Sequence, residues 1–318
     1  MASRIIGCGS YLPEKIITNQ DLEKSLDTTD EWIKTRTGIT KRHIAADEEL
    51  TSDMALKAAR NAIKDAAIAE ADIDLIIVCT NTGEKAFPSV ANKLQGALGI
   101  KRAPSFDLQA ICSGFVYGMS VADNMLKSGK YRTVLLVGAE KMSKVVDWTD
   151  RKTCILFGDG AGAVILQQDD SNRGIIDSNI YSDGTLYDIL YTESTVDDSG
   201  IQQSSIAMKG QELFKHAVQK MSESVKLILK DNDLTTSDID YFIPHQANVR
   251  IINSVADKFD IDKSKVIITA DKHANCSAAS IPLALSDLKS KGNLKAGDIM
   301  VFTAFGAGLA WGALIIRW

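Results

Sequence analysis

Proline, cysteine and histidine are all scarce in this sequence, and an excess of basic residues is absent. Five prolines in 318 residues, without a low-complexity tract, argue against a long linker and indicate a compact protein. The five cysteines are odd in number and form no Cys-x-x-Cys pair. They therefore argue against a disulfide framework or a zinc cluster and fit the reducing cytoplasm. A net charge of −5 argues against a nucleic-acid binder but leaves room for a local basic patch.

A signal peptide and a membrane span are not expected either. The first residues, MASRIIGCGSYLP, contain too short an apolar run for a signal peptide. Residues 299–316 carry no charge over nearly the length of a transmembrane helix, but the FGAG stretch at 305–308 divides them into two lengths typical of strands. We therefore predict a buried strand, a glycine turn and a second buried strand there, in a cytoplasmic protein.

Apolar runs of strand length alternate with helical patterns along the chain, which is typical of an α/β protein with buried sheets. Hydrophobic residues make up 45% of the sequence, enough for a large core. The predicted strands span residues 74–80, 133–139, 161–167, 239–244, 265–270 and 298–304. The predicted helices span residues 52–69, 88–98, 113–128, 210–230, 247–259 and 278–291.

The sequence also resembles itself. The stretch ADIDLIIVCTNTG (71–83) is similar to SDIDYFIPHQAN (237–248), and each is followed by a helix. A Cys-Ser pair then occurs at 112–113 or at 276–277, and each pair leads into a further helix that ends at a glycine. The shared order over about 165 residues indicates an internal duplication of one α/β unit.

The duplication predicts two similar halves. The polar stretch QDDSNR (168–173) marks the boundary, which gives an N-terminal half at residues 1–170 and a C-terminal half at residues 171–318. A pocket is expected where the corresponding strand ends of the two halves meet.

Two cysteines stand out as possible nucleophiles. Cys112 precedes a predicted helix, whose unpaired N–H groups and positive dipole end would favour a thiolate, and small neighbours leave its sulfur approachable. Cys276 has the corresponding place in the second half, with Asn275 before it. A buried, unreactive thiol is the alternative for both, and local features do not decide between them.

Other candidates lie at predicted strand ends. His245 follows the strand at 239–244 and opens a helix, where a catalytic role and a capping or surface role both fit. The stretch FGDGAGAVIL (157–166) leads into a strand-like run rather than a helix, so it indicates tight packing and not a dinucleotide loop. Backbone N–H groups of FGAGLAWG (305–312) could stabilise an oxyanion.

Five strings together resemble the β-ketoacyl-[acyl-carrier-protein] synthase III family, the condensing enzymes that start type II fatty-acid synthesis. They are AICSGF, DRKTCILFGDGAGA, IPHQANVRI, ANCSAAS and FGAGLAWG. The resemblance extends over nearly the full length, to DEWIKTRTGI near the start and AFPSVA at 86–91. It implies the thiolase-like fold, in which two duplicated α/β halves form a layered α-β-α-β-α structure.

The resemblance implies a catalytic triad of Cys112, His245 and Asn275. Cys112 would attack the thioester of acetyl-CoA and hold the acyl group covalently. His245 and Asn275 would donate hydrogen bonds to the thioester oxygen of malonyl-acyl carrier protein while CO₂ leaves. The products would be acetoacetyl-acyl carrier protein, CoA and CO₂. Acyl-CoA is a substrate in this scheme, and no cofactor or metal is expected.

The resemblance also implies an oxyanion hole formed by the backbone N–H groups of Cys112 and Ala307, with Gly306 as the alternative donor. The family usually has glycine at the position of Ala307, and a Cβ would restrict the turn if φ were positive there. A second departure is ANCS, where the family commonly has Gly-Asn-Thr or Gly-Asn-Ser.

Further contacts are implied by the same resemblance. CoA would lie against Trp32, Arg36, Arg151, Phe214 and Asn248, with its adenine between the indole of Trp32 and the guanidinium of Arg151. The acidic carrier protein would contact Gln246, Ala247, Asn248 and Arg250. The acyl pocket would include Phe87, Met142, Phe157 and Leu190. Phe87 would reach that pocket across a dimer interface, which implies a homodimer.

Four other functions can be compared with these motifs. A synthase III-like enzyme with a longer or branched acyl-CoA primer would keep the triad and differ in its acyl pocket. A thiol redox protein needs a resolving cysteine near Cys112 in the sequence, and none is near. A non-catalytic carrier-protein-binding module would not need a nucleophile. A degradative thiolase would use a second cysteine near the C-terminal glycine turn, and FTAFGAGLAWG contains none.

Overall fold

A computed structural model describes residues 2–197, 200–203 and 205–318 of the chain. Its strands are β1 Ala2–Tyr11, β2 Lys15–Thr18, β3 Lys41–Ile44, β4 Leu75–Cys79, β5 Ser105–Leu108, β6 Thr133–Glu140, β7 Gly160–Asp169, β8 Gly174–Ser182, β9 Leu190–Tyr191, β10 Ser194–Asp197, β11 Gly200–Gln203, β12 Ala207–Met208, β13 Tyr241–Pro244, β14 Ile299–Gly306 and β15 Ala310–Arg317. Its α-helices are α1 Asn19–Glu23, α2 Asp30–Thr37, α3 Thr51–Ala66, α4 Val90–Ala97, α5 Gly114–Lys127, α6 Gly210–Asp231, α7 Val249–Asp257, α8 Ala270–His273 and α9 Ser280–Ser290.

Two mixed sheets repeat one topology. The first has the order β1-β7-β6-β4-β5, and the second, read from its other end, has the order β8-β15-β14-β13. In both sheets the first two pairs are antiparallel, and the next pair, β6 with β4 or β14 with β13, is parallel. The duplicated α/β architecture predicted from the sequence is confirmed.

Five layers result from how the two faces of each sheet are covered. Leu75 and Ile77 of β4 face α5 and α9, which lie between the two sheets in one shared core. Ile76 and Val78 of the same strand face α3 and α4 on the outside. The outer face of the second sheet is covered in the same way by α6 and α7. Strands buried on both faces read as continuous apolar runs, and each buried large side chain contributes about 1.5–3 kcal/mol.

All six long helices are confirmed, with ends shifted by no more than three residues from the prediction. The glycine turn between two buried strands at 299–316 is also confirmed, because β14 and β15 form an antiparallel pair. No helix in the described part of the chain is long and apolar enough to cross a membrane.

The predicted strand at 265–270 is wrong. Only Val266 forms an isolated bridge, to Phe242 of β13, and the chain then enters α8 at Ala270. Residues 265–270 lie beside β13 as β5 lies beside β4 in the first sheet. The second half therefore repeats this segment, but its pairing with β13 is too short to form a strand. A short apolar run such as VIIT fits a strand, but the sequence of the run does not show whether a partner strand is present to pair with all of it.

Strand β1 was not predicted, and its glycines explain why. Gly7 and Gly9 weaken the strand pattern of the sequence. A Cβ on Gly9 would lie 2.3 Å from the carbonyl oxygen of Ala58, so glycine lets α3 pack directly on the strand backbone. All strands of the first sheet end by Asp169, and those of the second begin at Gly174. The division into halves at 170 and 171 stays a prediction.

Candidate active site

Cys112 lies in a tight turn at the junction of the two sheets. Ile111–Ser113 form a 3₁₀ turn that leads directly into α5, and Ile111 has a φ of +47°. The buried hydroxyl of Ser113 donates a hydrogen bond to the carbonyl oxygen of Ala310, at 2.7 Å. This bond attaches the cysteine turn to the first residue of β15 in the other sheet.

The corresponding turn of the second half is Ser277–Ala279, which leads into α9 and begins with a φ of +47° at Ser277. Ser277 therefore corresponds to Ile111, and Ala278 corresponds to Cys112. The prediction that Cys276 occupies the position corresponding to Cys112 is wrong by two residues. The Cys-Ser sequence occurs two residues earlier in the second half, relative to the backbone turn, than it does in the first. Cys276 is fully buried, and its thiol donates to the carbonyl oxygen of His273.

Asn275 is held by bonds on both sides of its backbone and by its side chain. Its N–H donates to the carbonyl oxygen of Leu156 at 2.9 Å, and its own carbonyl oxygen accepts from the N–H of Gly158 at 3.1 Å. Its side-chain oxygen accepts from the N–H of Ser277 at 2.8 Å. The amide Nδ2 is thus the group that remains to donate to a ligand.

His245 follows β13, and its backbone N–H donates to the carbonyl oxygen of Thr303 at 2.8 Å. Neither ring nitrogen has a hydrogen-bond partner among the described residues, although the ring is buried. Burial lowers the pKa of His245 to about 3, so the imidazole is neutral near pH 7. A neutral ring offers one donor and one acceptor to a ligand.

One cavity of about 1120 Å³ brings the three predicted catalytic residues together. Cys112, His245 and Asn275 all line it, and so do Phe157 and Leu190. The structure therefore collects residues that are more than 160 positions apart in the sequence. No cluster of three or more potential metal ligands exists among the described residues.

The Cys112 thiol is protonated in the resting protein. Burial raises its pKa to about 12, the Ser277 hydroxyl lowers it, and the charge of Glu140 raises it. Burial thus opposes the thiolate that the helix end was expected to favour. The thiol must lose its proton as the sulfur attacks.

The predicted glycine turn lies directly against Cys112. A Cβ on Gly306 would be 2.9 Å from the backbone nitrogen of Cys112, which places the end of β14 beside the cysteine N–H. Ala307 is half-buried and is not among the described residues with positive φ, while Gly308 has a φ of +132°. The alanine at 307 is thus compatible with the turn without strain.

The five predicted CoA contacts all line the cavity. The guanidinium carbon of Arg36 lies 4.7 Å from the centre of the Trp32 ring, and that of Arg151 lies 5.3 Å from it. Lys152, Lys215 and Arg250 also line the cavity, and no acidic side chain of the described residues does. A local basic patch therefore exists on a protein of net charge −5.

Three predicted contacts do not reach the cavity. Gln246 is buried, and its side chain bonds to backbone groups on both sides, including Pro244 and Thr269. Met142 is buried in the core cluster that also contains Phe157, but it does not itself line the cavity. Phe87 is 84% exposed on the surface. Ala247, Asn248 and Arg250, the other predicted carrier contacts, line the cavity.

Glu140 and Ser277 lie beside the site and were missed by the sequence reasoning. Glu140 ends β6 and is fully buried, and its charge raises the pKa of Cys112. A charged residue at the end of the buried run TVLLVGAE was the available signal, because a buried carboxyl needs specific partners.

Comparisons with known proteins place this chain among condensing enzymes. Residues 106–184 match the family model 3-oxoacyl-[acyl-carrier-protein] synthase III, and residues 229–318 match the model of its C-terminal part. The chain is 60% identical over 319 residues to the β-ketoacyl-[acyl-carrier-protein] synthase III of Rickettsia rickettsii, and the alignment covers 100% of both chains.

Solved structures agree with this similarity. The 3-oxoacyl-[acyl-carrier-protein] synthase III of Aquifex aeolicus is 46% identical, with a TM-score of 0.94 over 99% of this chain and 100% of that one. The synthase III of Pseudomonas aeruginosa is 39% identical, also with a TM-score of 0.94, over 100% of this chain and 98% of that one. The match thus extends over the whole chain in both sequence and structure.

Proposed function

This chain belongs to the β-ketoacyl-[acyl-carrier-protein] synthase III family, and from that premise we propose how it works. It is a condensing acyltransferase, and its reaction is the initiating condensation of fatty-acid synthesis. We propose acetyl-CoA as primer and malonyl-acyl carrier protein as extender, in the cytoplasm. The observation that carries the proposal is the single cavity that Cys112, His245 and Asn275 share behind a basic mouth.

The first half-reaction transfers the acetyl group to Cys112. The sulfur attacks the thioester carbon of acetyl-CoA, and the thiol proton passes to the free ring nitrogen of His245, which is neutral and unpartnered. The tetrahedral oxyanion is stabilised by the N–H groups of Cys112 and Ala307, with Gly306 as the alternative. The bond between the acetyl carbon and the CoA sulfur then breaks, and His245 returns the proton to that sulfur.

The second half-reaction forms the carbon–carbon bond. The thioester oxygen of malonyl-acyl carrier protein accepts hydrogen bonds from the other ring nitrogen of His245, the one that carries the proton in the neutral ring, and from Nδ2 of Asn275. The bond to the carboxylate breaks, CO₂ leaves, and its electron pair forms an enolate stabilised by these two donors. The enolate carbon attacks the acetyl carbon, and the Cys112 sulfur leaves and takes a proton from solvent.

The mouth of the cavity supports the choice of substrates. Arg36, Arg151 and Arg250 provide charges that suit the phosphates of CoA and an acidic carrier protein. The Arg151 guanidinium lies 5.3 Å from the centre of the Trp32 ring, which is less than two stacking distances, so it would have to move outward for an adenine to stack between them. We further propose that Ala247, Asn248 and Arg250 meet the carrier protein. The active form would be a homodimer in which Phe87 enters the partner's acyl pocket.

The test is the intact mass of the protein after mixing with acetyl-CoA. We expect one added acetyl group on the wild type. The matched control is Cys276→Ala, which removes a fully buried thiol and should also gain one acetyl group. Cys112→Ala should gain none. An acetyl group on the Cys112→Ala protein would contradict the assignment of the nucleophile.

Longer and branched acyl-CoAs in the same assay test the primer. Phe157 and Leu190 line the cavity and are the predicted pocket residues that can limit chain length. Preference for a longer primer would replace acetyl-CoA by another member of the same substrate class. A wild type that accepts no acyl group from any of them would exclude the condensing reaction.

A further inference from the structure

Glu140 is a buried carboxyl directly behind the proposed nucleophile, and the mechanism above does not use it. It is 0% exposed. Its Oε1 atom has no hydrogen-bond partner among the described residues. Its Oε2 atom accepts from three donors, which are Thr82 Oγ1 at 2.5 Å, Asn81 N–H at 3.2 Å and Thr80 Oγ1 at 3.3 Å. One oxygen is therefore fixed, and the other is buried and available.

Ser277 begins a turn that packs against both β6, which ends at Glu140, and the turn that holds Cys112. Its hydroxyl interacts with both groups and lowers the pKa of each. That hydroxyl is buried, and neither it nor Oε1 of Glu140 has a hydrogen-bond partner among the described residues, so the interaction does not reach hydrogen-bond geometry in this structure. Its backbone N–H is occupied by the side chain of Asn275. Two unpaired polar atoms of neighbouring side chains are costly unless they serve a ligand, a proton or each other.

We propose that Glu140 is a positioning residue that controls the Cys112 thiol through the hydroxyl of Ser277. The inference rests on the proposed role of Cys112 as nucleophile and deepens it. Protonated Glu140 donates to the oxygen of Ser277, whose O–H then points at the Cys112 sulfur and stabilises its negative charge. Ionised Glu140 instead takes the O–H of Ser277 for itself and repels the charge that develops on the sulfur.

The two states of Glu140 are both accessible near neutral pH. Burial raises its pKa from 4.5 to about 7, against the lowering effect of its hydrogen-bond donors. The titratable groups that face it from packed elements are the thiols of Cys79, Cys112 and Cys276. The adjacent Lys141 turns its Nζ to backbone carbonyl oxygens at residues 46, 47 and 49. His245, with a pKa of about 3, stays neutral in this range.

The experiment measures the alkylation rate of Cys112 by iodoacetamide as a function of pH, with the labelled peptide identified by mass spectrometry. Iodoacetamide reports the thiolate and needs no acyl substrate. The quantity of interest is the ratio of the Glu140→Gln rate to the wild-type rate, because titrations common to both proteins cancel. We call the hydrogen-bond path from Glu140 through the Ser277 hydroxyl to the Cys112 sulfur the relay. We expect a ratio near one at about pH 6, where the Ser277 hydroxyl points at the sulfur in both proteins. The ratio should rise about tenfold by about pH 8.5, where ionised Glu140 has drawn that hydroxyl away in the wild type only.

Ser277→Ala tests whether the effect passes through the hydroxyl. This variant keeps the backbone N–H that holds Asn275 and removes only the relay. We expect it to alkylate more slowly than the wild type at low pH and to approach the wild-type rate at high pH. Asp107→Asn is the matched control, since Asp107 is a partly buried carboxyl whose pKa is also raised and which accepts from the N–H groups of Val90 and Ala91. Its ratio should not depend on pH.

A Glu140→Gln ratio that stays constant with pH, or a Ser277→Ala rate equal to wild type at every pH, would overturn the relay. The outcome is separable from that of the proposed function. A pH-dependent alkylation ratio in a protein that accepts no acetyl group would support the relay and reject the substrate. Normal acetylation of Cys112, together with a Glu140→Gln ratio that does not change with pH, would support the substrate and reject the relay.

Discussion

The side-chain oxygen of Asn275 accepts a hydrogen bond from the backbone N–H of Ser277, with 2.8 Å between the two atoms. This bond fixes the amide, because the turn that begins at Ser277 has a positive φ and aims its N–H back at the preceding asparagine. The Nδ2 group is left to donate into the cavity that Asn275 shares with His245. Two neutral donors therefore converge on one space, as stabilisation of an enolate requires.

The first prediction concerns Asn275. Asn275→Asp keeps an oxygen that can accept from Ser277 but removes the Nδ2 donor and adds a charge where negative charge develops. We expect CO₂ release from malonyl-acyl carrier protein to fall by about 10²–10³-fold, the effect of losing one oxyanion donor. Acetylation of Cys112, followed by intact mass, should continue. Parallel loss of both steps would show that Asn275 acts on the cysteine instead.

The second prediction is the pH dependence of stability caused by Glu140. Its pKa is higher in the folded protein than its ordinary value of 4.5, so the folded state binds more protons between pH 4.5 and about 7. The free energy of unfolding therefore falls as the pH rises through this window. At about 1.4 kcal/mol for each pKa unit, the loss is on the order of 3 kcal/mol.

Urea unfolding of the wild type and of Glu140→Gln at about pH 5 and about pH 8 measures this effect. Other titrating groups, including His245 and His273, are present in both proteins and cancel in the comparison. We expect Glu140→Gln to gain stability relative to the wild type on going from the lower to the higher pH. An equal difference at the two pH values would mean that Glu140 titrates outside this range.

Local sequence patterns were sufficient for the long helices and for most strands of the two sheets, but not for β1, β5 and β8. The long helices and the strand pair around the glycine turn carry their own periodicity and turn residues, so they could be predicted. Strand β1 could not, because Gly7 and Gly9 serve a close helix contact that only the assembled fold explains. The failed strand at 265–270 depended on whether β13 would continue its pairing, which is a tertiary property.

The candidate site divides in the same way. The residues predicted to carry the chemistry have recognisable motifs, and the structure brings Cys112, His245 and Asn275 to one cavity. The state of the thiol could not be predicted, since burial raises its pKa and the extent of burial cannot be read from a local motif. Nor could Ser277 be assigned, because the Cys-Ser repeat suggested a register two residues from the one that the backbone adopts.

A third prediction tests the contact between the glycine turn and the cysteine. In Gly306→Ala the new Cβ would lie 2.9 Å from the nitrogen of Cys112 and 3.2 Å from that of Ser113, both of them backbone atoms that cannot turn away. The turn must shift, and we expect acetylation of Cys112 to slow by about 10²-fold as the oxyanion donors separate.

Gly96→Ala is the control for the glycine substitution. Gly96 lies in α4, and a Cβ there would meet nothing within 4 Å. It should leave acetylation unchanged and stabilise the protein by about 0.5–1 kcal/mol, the ordinary gain of alanine over glycine in a helix. Unaltered acetylation in Gly306→Ala would mean that the turn relaxes without moving the oxyanion donors.

The last prediction concerns the basic mouth. Arg151 forms an ion pair with Asp27 at the rim of the cavity. The guanidinium groups of Arg151 and of Arg36 both lie over the Trp32 ring. Removing either guanidinium deletes a charge proposed to meet the CoA phosphates, and Arg151→Ala also deletes one side of the proposed adenine site. We expect each alanine variant to raise the KM for acetyl-CoA by about tenfold, near 1.4 kcal/mol, with little change in kcat. The loss should shrink as salt is added.

Lys57→Ala is the matched control, because Lys57 also lies over an aromatic ring, 4.1 Å from the centre of Tyr11, but does not line the cavity. Its KM should equal that of the wild type. A Trp32→Ala variant then separates stacking from charge, since it should raise the KM without altering the salt dependence. If both arginine variants kept the wild-type KM at low salt, the nucleotide part of CoA would have to bind elsewhere, and the mouth would be left to the carrier protein alone.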